Sequence, residues 1–214
     1  MRRLVEGRLT LHHYASILRV IYHCTRENPQ IQALAAVYFR GADPDLVQAF
    51  FKHASAEIVH DRMALADLVA LGHDSSRVPM CMPLPNTTAL VSFPFYQIVY
   101  RNPISYLGYL YFLEHMPTRG GATYAAALLA CGVPRNALGF LAEHTSVDVA
   151  HNALMRRYVE ALVRSPADLA DMAYAIRVTS VLYGNMLAGA VDAAGRQEVP
   201  VPDHGELARM LAEA

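Results

Sequence analysis

Tryptophan is absent from the 214-residue chain, and cysteine occurs only three times, at Cys24, Cys81 and Cys131, with no paired spacing. That poverty excludes a disulfide scaffold, a Cys-built zinc site and an iron-sulfur cluster. It fits a reducing compartment, so a cytoplasmic location is expected. Charge is also scarce. Charged residues make up 17% of the chain, with 18 basic against 19 acidic side chains, and the net charge of -1 gives no global field to recruit nucleic acid or an anionic membrane. No local basic patch replaces it. No stretch approaches the ~18 consecutive apolar residues of a spanning helix, and Arg2-Arg3 leads into no apolar signal core. Neither a strand-like alternation nor a glycine-rich phosphate loop is present. Nucleic-acid and membrane partners are therefore not expected.

What the chain has in quantity is apolar surface: 54% of residues are hydrophobic and the mean hydropathy is +0.19. Such a surplus must be buried in a core, against a ligand or against a second subunit, which makes a homodimer a candidate assembly. Its periodicity is helical. From Leu11 to Arg26 the residues Leu11, Tyr14, Ile17, Leu18, Ile21 and Tyr22 recur at offsets of three and four. Pro29 marks a break, and a shorter segment runs from Ile31 to Phe39. Asp43-Pro44 reads as an N-cap with proline at the first helical position, opening a helix to Leu71. The proline-rich stretch from Gly72 to Asn86 reads as a connector. Thr87 to Tyr100 should be broken at Pro94, and Ile104 to His115 should end at Pro117, before a short Ala-rich helix to Ala130. Pro134 to Val163 and Ser165-Pro166 to Ala194 supply two long last helices. The expectation is one all-α domain of seven or eight helices over 1–214, with a helical core at 11–195 and a tail at 196–214.

Two of these helices carry the same polar pattern. His53, Glu57 and His60 stand at offsets of four, three and seven, one face of a helix, and His144, Asp148 and His151 repeat them. A packed core has no use for six such side chains at matched spacing unless something neutralises them. Metal binding does so. Glu114 closes an apolar aromatic run, where an ionised carboxylate calls for a cation. On the first helix, His23 and Glu27 stand four apart and offer further donors. The order Glu27, Glu57-x-x-His60, Glu114, Asp148-x-x-His151 matches the way four-helix di-iron proteins arrange single carboxylates and Glu-x-x-His pairs. Mixed carboxylate and imidazole ligands suit iron or manganese, with zinc weaker. His12, His13, His73, His115 and His204 read as surface residues, and Arg156-Arg157 with Arg164 as a solvated helix end.

Tyr22-His23, His53-x-x-x-Glu57-x-x-His60-Asp61, Leu113-Glu114 and Glu143-His144-x-x-x-Asp148-x-x-His151 together resemble the heme-oxygenase-like di-iron oxidases and oxygenases, over roughly Leu11 to Val163. The resemblance implies a helical bundle of the heme oxygenase and TenA type. It puts Glu57, His60, Glu114, His144, Asp148 and His151 at the metal-ligand positions, with Glu57 and Glu114 closest to the chemistry. His23, Glu27 and His53 become additional or supporting positions. It further implies two irons per chain, dioxygen as co-substrate, and oxidation of a small organic molecule such as an amino acid, a fatty acid or a natural-product intermediate. Two other readings share the fold: a TenA-like thiamin-type hydrolase, for which Cys24, Cys81 and Cys131 are the candidate nucleophiles, and a metal-free or heme-binding module using His23.

Overall fold

The computed structural model describes residues 8–195, 209, 210 and 212, with the side chains of 146–152 outside the description. Eight α-helices stand among the described residues: α1 (Leu11–Thr25), α2 (Asn28–Tyr38), α3 (Pro44–Ala56), α4 (His60–Ala70), α5 (Pro85–Tyr100), α6 (Ser105–Ala130), α7 (Gly139–Leu162) and α8 (Pro166–Asp192). The tail expected at 196–214 lies almost wholly outside these residues. No described helix is long and apolar enough to cross a membrane.

Local signals set the helix starts. Thr10 and His13 form a reciprocal capping box on α1, Asp43 accepts from the Asp45 N–H ahead of Pro44, and Ser165 accepts from the Asp168 N–H ahead of Pro166. The rods then pack around one core, with α6 at its centre lying along both α7 and α8, and α1 against α4 and α8.

The expected single helix from Pro44 to Leu71 is interrupted. A 3₁₀ turn at Glu57–Val59 separates α3 from α4, with Val59 at φ -110°, ψ 0°. The exposed β-branched pair Ile58 and Val59 weakens the α-helix there. Three residues per turn also superpose Glu57 on His60. Counting α3 and α4 as one broken rod gives seven rods.

The expected breaks at Pro94 and Pro117 do not occur. Pro94 lies within α5, and α6 runs through Pro117 and Gly120-Gly121 to Ala130. Both prolines are buried, and the burial of α6 between two helices outweighs one missing backbone bond. Near Pro117, the Thr118 hydroxyl donates to the His115 carbonyl (3.0 Å) and His115 Nδ1 lies 3.1 Å from the Tyr111 carbonyl.

Close approach to α8 depends on Gly108, where an added Cβ would lie 2.2 Å from the Met172 carbonyl oxygen and 2.8 Å from Ala175 Cβ. Gly108→Ala is expected to push α6 off α8, destabilising the fold by about 3 kcal/mol and lowering Tm by roughly 6–12 °C. An unchanged thermal midpoint would contradict this crossing.

Candidate metal centre

α7 has no side-chain cap of its own at Leu138. A residue on α4 supplies one: the Asp67 carboxylate accepts from the Gly139 N–H and the Phe140 N–H, both at 2.9 Å. Asp67 is 2% exposed. Burial pushes its carboxyl above the ordinary range, and the two N–H bonds pull it back. Gly139 permits the approach, since a Cβ there would lie 2.9 Å from Asp67 Oδ1. This clamp fixes the helix start one turn ahead of His144.

His144 is oriented by its own helix. Its Nδ1 lies 2.8 Å from the Phe140 carbonyl, an arrangement in which Nδ1–H donates and the Nε2 lone pair is left to bind elsewhere. Its ring stacks on Phe140 (4.0 Å between centroids) and meets the His60 ring edge-on at 4.8 Å. Burial holds the His144 imidazole below the usual histidine range, against the pull of the Phe140 carbonyl and of Glu57. A neutral imidazole is the form that ligates a metal.

Glu57 lies at the middle of the arrangement, 8% exposed. Its Oε2 is 3.0 Å from His60 Nδ1, while its Oε1 is 3.9 Å from His53 Nε2. Glu114 Oε1 in turn lies 3.2 Å from the same His53 nitrogen. Two groups of donor atoms result, Glu57 with His60 and His144, and His53 with Glu57 and Glu114, each within 4.8 Å of one another. Glu57 belongs to both. Donors held about 2 Å from one ion are separated by roughly 3–4 Å, so small side-chain rotations bring either group onto a metal. The donor set, two carboxylates and three imidazoles, fits iron.

Of the other candidates, Asp148 and His151 lie on α7, with side chains outside the described residues. Glu27 pairs with Arg26 at 3.1 Å at the α1–α2 junction, and His23 is buried edge-on against Tyr22. Neither joins a donor group among the described residues. His53, one of the additional or supporting positions, is 4% exposed and within the cluster.

Sequence reasoning passed over two tyrosines beside the carboxylates. Tyr158 is fully buried, its ring stacked on Phe50 at 3.8 Å and near-parallel to His53 at 6.4 Å. Its hydroxyl has no hydrogen-bond partner among the described residues. Burial raises both phenols, and Glu114 raises them further, while Arg157 partly offsets this at Tyr158. Tyr106 and Tyr158 therefore stay protonated at neutral pH. The available signal was spacing, because His144, His151 and Tyr158 are seven apart along α7.

An all-α bundle with a buried carboxylate and imidazole cluster defines the class: a helical bundle whose core carries metal-ligating donors. Residues 16–184 match the family described as iron-containing redox enzyme, and the chain belongs to that family. A solved structure, a domain of unknown function with a heme oxygenase-like fold from Shewanella denitrificans OS217, superposes with a TM-score of 0.79 at 23% identity. The match covers 88% of this chain and 82% of that one, and it shows the fold. No curated protein matches the chain.

Proposed function

We propose that this protein is a non-heme iron oxidase or oxygenase that holds two irons and uses dioxygen to oxidise a small organic substrate. The observation that carries the reading is Glu57, whose two oxygens face different imidazoles, Oε2 toward His60 and Oε1 toward His53. One carboxylate shared by two donor groups is the arrangement that bridges a metal pair. Iron bound there supplies the redox equivalents for reducing dioxygen and oxidising the substrate.

The chain's own residues do the rest. His60, His144 and Glu57 would hold one iron, His53, Glu57 and Glu114 the other, and Asp148 and His151 are the further ligands that the repeated motif offers. The Phe140 carbonyl holds His144 in the tautomer that leaves Nε2 free. Phe50, Tyr106 and Tyr158, all at most 2% exposed, exclude water from the centre. The Tyr158 hydroxyl keeps a proton inside that wall.

The thiol hydrolase reading is disfavoured at Cys24 and Cys81. Cys24 is fully buried and its thiol is pushed up to about 12, which leaves almost no thiolate. The Cys81 thiol donates to the Arg77 carbonyl at 3.3 Å.

Anaerobic Fe(II) titration of the apoprotein, followed by oxygen in a stopped-flow spectrometer, tests the proposal. Uptake of about two irons per chain, with oxygen consumption, is the expected result. A chain that takes up no stoichiometric iron overturns it.

A further inference from the structure

On the turns of α6 either side of Glu114, the bundle opens into a cleft of about 590 Å³ between α6, α7 and α8. Its size is that of a small-molecule site. The floor is apolar and polarisable, with the thioethers of Met155 and Met172, both buried. One wall is aromatic: the Tyr111 and His115 rings stack at 3.8 Å with 19° between their planes, leaving their edges and one outer face to a ligand.

The rim carries charge. Arg119 from α6 and Arg156 from α7 both line the cleft, and neither makes an ion pair or side-chain hydrogen bond with another described residue. Against these two guanidiniums stands the single carboxylate of Glu160. A solvated helix end needs no guanidinium on the opposing helix, and here one faces the same cleft from each side.

We infer that this cleft binds an aromatic organic anion, with its acid group held by Arg119 and Arg156 and its ring lying along the Tyr111–His115 wall over the methionine floor. A guanidinium fork pairs with a planar carboxylate through two parallel N–H bonds, and its flat face tolerates a stacked ring. Aromatic faces and thioethers favour a planar body over a flexible chain. Tyr111, His115 and Thr118 bracket Glu114 along α6, so the ligand's body lies against the turn that carries a proposed iron ligand. That the bound anion is the substrate rests on the iron reading; the binding itself does not.

Full-length apoprotein titrated with 2-naphthoate, by calorimetry and ligand fluorescence, tests the site without iron. Saturable one-site binding is expected. The neutral isostere 2-naphthamide and the aliphatic acid decanoate should each bind at least about tenfold more weakly, and Arg119→Met/Arg156→Met should weaken 2-naphthoate by a similar factor. Methionine keeps the apolar stem, and an unchanged circular dichroism spectrum and thermal midpoint establish that the variant is folded. Equal affinity for the amide, or an unaffected double variant, overturns the guanidinium anchor. Decanoate binding as tightly as 2-naphthoate overturns the aromatic wall. A chain that binds 2-naphthoate as described but takes up no iron supports the cleft and removes the iron reading.

Discussion

Glu57→Ala is expected to abolish binding of both irons, with affinity falling by more than ~100-fold, because loss of a ligand should exceed the 10–100-fold effect of losing a ligand's supporting partner. The two donor groups share only Glu57. Single replacements elsewhere should therefore divide the site. His144→Ala removes a donor from the group with His60, and Glu114→Ala one from the group with His53, so each should lose about one equivalent while keeping the other. Glu57→Gln keeps the shape but not the charge, and should resemble Glu57→Ala. Metal analysis after anaerobic loading, with circular dichroism as a control for folding, reads all four. If Glu57→Ala retains one tightly bound iron, the shared carboxylate is wrong. If it retains both, the ligand assignment fails altogether.

Asp67→Ala should produce the largest stability loss for a single polar side chain. It removes two charge-assisted bonds and leaves the Gly139 and Phe140 N–H groups without an acceptor at the positive end of a 24-residue helix. The expected cost is about 3 kcal/mol, a Tm lower by roughly 6–12 °C. Iron affinity should fall with it, since Phe140 supplies both the carbonyl and the ring that orient His144. Asp67→Asn, which keeps one acceptor oxygen, should fall between the two. Denaturant unfolding with and without Fe(II) checks this pair. A destabilised variant with normal iron affinity would show that the clamp serves the fold and leaves the site untouched.

Much of the site was legible along the chain because a helix converts spacing directly into facing. His53, Glu57 and His60 are three, four and seven apart, and those offsets survive even the 3₁₀ turn that divides their helix. Glu114 stood out because a carboxylate in an aromatic run is costly to bury alone. The prolines misled for the same reason. Their local preference for breaking a helix is real, but Pro117 sits where α6 is held on two sides, and packing outweighs it. Asp67 gave no local sign of its partner, which lies 72 residues away.

By itself, then, the sequence determined the all-α class, most helix starts, the family and which side chains could be ligands, but not where each helix is interrupted. The tertiary structure decided which of them meet. It drew His53 to Glu114, set the His144 ring against the edge of His60, and brought Arg119 and Arg156 to one cleft. Those relations depend on the crossing of helices far apart in the chain. Crossings are fixed by close contacts such as Gly108 on Met172 and Gly121 on Thr145, and helical spacing carries no information about them.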